Sequence, residues 1–185
     1  MLSDSRNPNR RLSVQTATGQ SKTGKTVAKA AIFLSIACVW IVLDQLAKSH
    51  FAGMQPNGIL AGPFAGLIDI RLVHNTGGAW GIFSDSTYAL GMFSLVVCAA
   101  IAIYYFVTIK QSNMLQTIAF ALIVAGGIGN AIDRFAQGYV VDFIEFSFID
   151  FPVFNIADIG VTCGFALLII GLIAAFRTES EEDAS

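Results

Sequence analysis

Residues 126–158 read GGIGNAIDRFAQGYVVDFIEFSFIDFPVFNIAD, from Gly126 to Asp158. The stretch opens on the end of one apolar run and closes at the start of another, yet it carries Asp133, Arg134, Asp142, Glu145, Asp150 and Asp158. The chain around it is 55% hydrophobic and only 13% charged. Carboxylates gathered at the edge of an apolar run are costly unless they are paired, solvated or used, so the reading of fold and function starts here.

Working outward, the flanking runs set the class. A mean hydropathy of +0.66 and several long uncharged stretches point to a chain whose solvent is a bilayer. Four spans follow from the charge pattern. The first lies between Lys29 and Asp44, short of the roughly 20 residues that a bilayer core requires, so it must include Asp44, with Lys29 and Lys48 snorkelling to the interfaces. The second runs from Thr87 to Ile109 and ends at Lys110, the third lies between Lys110 and Asp133, and the fourth begins near Asn155 and ends at Arg177. The expected fold is therefore an all-α membrane protein, four transmembrane helices with a small β-rich subdomain on the outer, periplasmic face.

Residues 1–26 are polar, with Arg6, Arg10, Arg11, Lys22 and Lys25 against a single Asp4, and read as a disordered basic tail. Positive charge beside the first span places the N-terminus in the cytoplasm, and four crossings return the C-terminus there. The core domain is expected over 27–176 and an acidic cytoplasmic tail over 177–185, with Glu179, Glu181, Glu182 and Asp183. Asp44, Asn130, Asp133 and Asp158 then all fall on the outer side. Of the two outer loops, 52–86 and 134–153, the first contains Ile68-Asp69-Ile70-Arg71-Leu72-Val73, which alternates as a strand does, among bends at Gly58, Gly62 and Gly66. It predicts a small sheet or hairpin at the membrane surface, to which residues 139–153 could add strands or a short interfacial segment.

Asp142 and Asp158 are the candidate reactive pair. Two carboxyl groups held together share a proton, so that one can activate a water while the other donates to a carbonyl. Taken singly, membrane-edge aspartates are as readily helix caps or solvated termini. Against that stands the setting of Asp142 in Tyr139-Val140-Val141-Asp142-Phe143-Ile144, where a merely solvated carboxylate has no reason to sit.

The motifs around this pair carry a resemblance. Asp44-Gln45 with Lys48, Asn75-Thr76-Gly77-Gly78-Ala79-Trp80-Gly81, Gly126-Gly127-Ile128-Gly129-Asn130-Ala131-Ile132-Asp133-Arg134, Val140-Val141-Asp142-Phe143 and Phe154-Asn155-Ile156-Ala157-Asp158 occur in that order. From about Ala30 to Phe176 the chain resembles the lipoprotein signal peptidase family, membrane aspartic proteases that process prolipoproteins. The resemblance implies that Asp142 and Asp158 are the catalytic aspartates, and that Asp44, Asn75, Asn130, Asp133, Arg134 and Asn155 support or line the site. It also implies a lipid-modified prolipoprotein substrate, cut just before a diacylglyceryl-modified cysteine, and no metal or organic cofactor. The enzyme would sit in the bacterial cytoplasmic (inner) membrane with its site at the outer face and membrane lipid as its surroundings. Two departures are mild: Gly-Gly-Ala-Trp stands where Gly-Ala-Ala-Phe is commoner, adding bulk at Trp80, and the basic tail is longer than the family minimum.

The supporting residues also make sense on their own. Asn130 and Asp133 are i and i+3 at a helix end and share a face. Asn155 precedes Asp158 by a turn, so it caps the helix or faces the site. Arg134 either positions a carbonyl or anchors at the interface.

Other chemistries lack their residues. His50 and His74 are the only histidines, and no H-E-x-x-H or G-x-S-x-G motif occurs. Gly126-Gly127-x-Gly129 lacks the Lys-Ser/Thr of a phosphate loop and reads as close helix packing. Cys38, Cys98 and Cys163 lie in apolar runs as small hydrophobes. Ser35-Ile36-Ala37-Cys38 faintly resembles a lipoprotein cleavage box, but the apolar run continues past it. Nucleic acid is no partner for a chain whose one basic cluster is a cytoplasmic tail, and the oligomeric state is not encoded legibly. Two rival functions remain at this level: a carboxylate-based transporter or proton channel, and a non-catalytic lipoprotein receptor. Transporter acids, however, usually lie near the midplane between repeats, whereas these gather at one surface.

Overall fold

The computed structural model describes residues 8–56, 58–78 and 86–183. Four helices and three strands occur in the order α1 (Pro8–Phe51), β1 (Ile59–Phe64), β2 (Ile68–Asn75), α2 (Thr87–Thr108), α3 (Met114–Ala136), β3 (Val140–Phe146), α4 (Ile156–Asp183). Each helix contains a segment long and apolar enough to cross a membrane: Thr23–Phe51, Thr87–Thr108, Met114–Ala136 and Ile156–Arg177. The molecule is thus a multi-pass membrane protein with a small antiparallel sheet.

The first and last helices run beyond the expected spans. α1 begins at Pro8, inside the stretch expected to be a disordered tail, and α4 continues through the acidic tail to Asp183. A helix already nucleated by an apolar span extends at little further cost per residue, even through polar sequence. The Ala79-Trp80-Gly81 part of the glycine block, with the Trp80 departure, lies outside the described residues.

α3 is the central helix and packs on α1, α2 and α4. Small residues on several sides make this possible: Ala119, Ala121, Ala125, Gly126, Gly129 and Ala131 are all buried. Small side chains let helix backbones approach closely where lipid gives no hydrophobic drive to associate. At Gly126 an added Cβ would collide with the Ala157 carbonyl and lie 2.7 Å from Val161 Cγ2, so α4 seats directly on the α3 backbone. Gly164 of α4 returns the fit against Ala119 and Ile123. α3 starts on a full capping box, Asn113 accepting from the Gln116 N–H at 2.8 Å while Gln116 accepts from the Asn113 N–H at 2.9 Å. The outer faces stay apolar and exposed, as at Val39, Leu46, Phe93, Val107 and Ile170, which suits contact with lipid tails.

The sheet forms where the sequence expects it, and the second outer loop joins it as β3. The order is β1-β2-β3, antiparallel throughout. β1 and β2 close through a tight turn in which Ala65 (φ 51°) and Gly66 (φ 71°) are both left-handed, the twist that hairpins favour. Leu72, Val141 and Phe143 form a small core that packs on Ala47 and Phe51 at the end of α1 and on Ile156 at the start of α4. Phe51 and Phe143 stack with ring centroids 4.5 Å apart. This core fixes β3 over one end of the bundle. Because side chains alternate along a strand, burying Val141 and Phe143 turns Asp142 to the other face.

Candidate active site

Asp142 sits mid-strand in β3, 2% exposed, opposite Val73 in the β2–β3 register. Asp158 sits in the first turn of α4. Asn155, immediately before that helix, holds both. Its side-chain oxygen accepts from the Asp158 N–H (3.0 Å) and the Asp158 carboxylate accepts from the Asn155 N–H (3.1 Å), a reciprocal cap. Its side-chain nitrogen donates to Asp142 Oδ1 at 2.6 Å and to Asn130 Oδ1 at 3.0 Å. Capping the helix and facing the site, left as alternatives by the sequence, are one role here.

Two more amides complete the shell. Asn75 Nδ2 donates to Asp142 Oδ2 at 2.9 Å, while its oxygen is held by the Gly77 N–H at 3.0 Å. Asn130 Nδ2 donates to Asp158 Oδ1 at 2.7 Å, while its oxygen accepts from Lys48 Nζ at 2.8 Å. In all three asparagines the oxygen is engaged by a donor elsewhere, so the NH2 group has to point at a carboxylate. Arg134 Nη2 donates to the Gly77 carbonyl at 3.1 Å, tying α3 to the glycine block. Among the described residues its Nε, also buried, has no acceptor.

Behind this shell lies a charged layer. Lys48 is 1% exposed and makes ion pairs with Asp44 (2.9 Å) and Asp133 (3.0 Å), both fully buried. Gln45 Nε2 donates to Asp133 Oδ1 at 3.0 Å and to the Gly129 carbonyl at 3.2 Å. Asp44 Oδ1 accepts the Ala157 N–H at 2.8 Å, at the positive end of α4, and Asp133 Oδ2 accepts the Val141 N–H at 3.1 Å. The layer therefore pins α1, α3, β3 and α4 to one another just below the aspartate pair. The expectation that Lys48 snorkels is overturned: its ammonium turns inward because two buried carboxylates without a cation would be far more costly than one buried network. Lys48 and Gln45 belong to this buried layer, and charge spacing alone missed them; the signal available was Asp44 and Lys48 at i and i+4 inside a span.

All eight residues singled out from sequence meet at this one place. Asn75, Asn130, Arg134, Asp142 and Asp158 line a cavity of about 420 Å3, whose remaining wall is apolar except at Thr162 and includes Val140, Phe146, Phe154, Ile159 and Cys163. Burial, and then the nearby charge of Asp158, push the Asp142 carboxyl up to about 7; the hydrogen bonds from Asn75 and Asn155 and the charge of Lys48 oppose the rise. A carboxyl poised near neutrality beside a second carboxyl is equipped for proton transfer.

Residues 36–174 match the model of the family described as Signal peptidase (SPase) II. The chain belongs to that family. Lipoprotein signal peptidases from Streptococcus pneumoniae and Lactobacillus johnsonii are 34% and 38% identical to it, over 78% and 79% of its length and 94% of theirs. Two solved bacterial membrane enzymes, determined by the in meso method at 2.3 Å and 1.9 Å resolution, superpose with TM-scores of 0.72 and 0.66 at 33% and 34% identity. They cover 79% and 76% of this chain, and 90% and 91% of their own chains are matched. Membership of signal peptidase II makes the chain a membrane protease, and the transporter and receptor readings give way to it.

Proposed function

We propose that this signal peptidase hydrolyses lipid-modified prolipoproteins, cutting before the diacylglyceryl-modified cysteine with Asp142 and Asp158 as a water-activating pair. One observation carries the reading: the Asn155 amide and backbone hold both carboxylates on the polar wall of a cavity that is apolar elsewhere except at Thr162. The polar wall suits a scissile peptide bond and water; the apolar wall suits acyl chains that need never leave a lipid-like surrounding.

In this mechanism the pair carries one proton at the start. One aspartate takes a proton from water as its oxygen bonds to the carbonyl carbon, and the other gives its proton to the carbonyl oxygen. The C–N bond of the tetrahedral carbon then breaks: the nitrogen leaves as an amine with a proton from the pair, while one of the two hydroxyl groups returns a proton to the pair, so that a carboxyl group and an amine separate and the pair again carries one proton. Arg134, anchored through Nη2 to the Gly77 carbonyl, directs its remaining donors to the peptide carbonyls and fixes the register of the chain. The charged layer of Lys48, Asp44 and Asp133 keeps Asn130 and Asn155 aimed. In the membrane, the start of the α1 span, with Lys25 and Lys29, and the α2–α3 turn, with Lys110, face the cytoplasm and the aspartate pair faces outward.

Mass spectrometry of the products tests the reaction. Purified full-length protein in detergent, given a diacylglyceryl-cysteine precursor, should release a free signal peptide and a product whose first residue is the lipidated cysteine. A cut elsewhere, or equal cleavage of the unlipidated precursor, would count against the reading.

A further inference from the structure

The end of the bundle remote from the aspartates holds a second cavity, of about 600 Å3, lined by Thr23, Lys25, Thr26, Val27, Lys29 and Lys110. Lys25 and Asp44 are 19 residues apart on α1, which at 1.5 Å per residue separates this cavity from the active site by roughly 28 Å. Three ammonium groups converge from two parts of the chain, the start of the α1 span and the α2–α3 turn. Lys29 is already committed: its Nζ donates to the Ile109 carbonyl at 3.1 Å and the Ser112 carbonyl at 2.5 Å, which neutralises the negative end of α2. Lys25 and Lys110 are exposed at the rim. Among the described residues none of the three lysines forms a salt bridge with a carboxylate. The cavity thus keeps a net positive charge that nothing described in the protein balances.

We infer that this cavity binds the phosphate of an anionic phospholipid. Its position at the ends of two spans puts the charge at headgroup depth. Val27 on its wall is exposed, as is Val107 in the last turn of α2, and exposed apolar side chains at this end of the spans suit acyl chains and not a free ion in water. Lys25 and Lys110 contact the phosphate, Thr23 and Thr26 offer hydroxyls beside it, and Lys29 holds the floor in place. The bound lipid joins α1 to the α2–α3 turn and so stabilises the fold from the side opposite the chemistry. This inference stands apart from the reading of the active site, since no residue is shared.

The test uses the full chain in nanodiscs of phosphatidylcholine, with or without phosphatidylglycerol, with native mass spectrometry to count retained lipid and thermal unfolding to read stability. Phosphatidylglycerol should be retained and should raise Tm. At about fivefold in affinity per lysine, Lys25→Gln with Lys110→Gln should weaken retention about 25-fold and abolish the rise, leaving Tm in pure phosphatidylcholine unchanged. Lys25→Arg with Lys110→Arg, which keeps both charges, should preserve the rise, as should Arg177→Gln at the end of the α4 span. Three results would overturn the inference. The rise could survive the double glutamine variant, or Arg177→Gln could remove as much of it, which would make it a general surface-charge effect. Inorganic phosphate added to phosphatidylcholine discs could reproduce the lysine-dependent rise, which would assign the cavity to a free anion.

Discussion

Asp142 is buried, bonded to two amides and within the field of a second carboxylate, and these influences oppose one another. Burial and Asp158 raise its pKa to about 7, while Asn75 and Asn155 hold it down. The sign of the pH dependence follows. As pH rises through about 7 the pair loses the proton that it must give to the carbonyl oxygen, so kcat/KM should fall above that value, toward tenfold per pH unit. Asn75→Ala removes a donor that favours the charged form, so the Asp142 pKa rises further and the alkaline limb should move up by about one pH unit, with a lower maximum rate. Because the two acids are coupled, the profile reports the pair. A limb that stayed put or moved down in Asn75→Ala would remove Asp142 from the proton-transfer step.

At the scale of elements, the close seating of α4 on α3 sets where Asp158 stands relative to Asn130. A side chain at Gly126 would push against the Ala157 carbonyl, one residue from Asp158. Gly126→Ala should therefore lower stability by about 1–3 kcal/mol through overpacking, seen as a drop of several degrees in Tm, and should lower the cleavage rate with it. Gly53→Ala, where an added Cβ meets nothing within 4 Å, should leave both unchanged. Equal Tm values for the two variants would mean that α3 and α4 are not held this tightly. The elements themselves were largely legible, because spans announce themselves as long uncharged runs and β2 as an alternating one. Two things were not. The inward turn of Lys48 depends on Asp133, which is remote in sequence and meets it only when α1 and α3 pack. The helical extension of α1 back to Pro8 depends on propagation from the span and not on the composition of the tail.

Across the whole molecule, every segment that reaches the site contributes something the others cannot. α1 brings Asp44, Gln45 and Lys48, β2 brings Asn75, α3 brings Asn130, Asp133 and Arg134, β3 brings Asp142, and α4 with its cap brings Asn155 and Asp158. The members of the site could be picked out from sequence because charged and amide residues stand out within apolar runs, and because ordered motifs matched a family. Their mutual orientation could not, since it rests on which amide oxygen each neighbour occupies. The central claim is that this assembly exists to hold two carboxylates that share a proton over a lipidated peptide. Its most direct test is the cleavage rate of a diacylglyceryl-cysteine precursor by Asp142→Asn and Asp158→Asn in proteoliposomes, measured beside binding of the same precursor. Both variants should insert, unfold near the wild-type temperature and bind the precursor, yet cut it at least about a thousandfold more slowly. Near-normal cleavage by either variant would contradict the account.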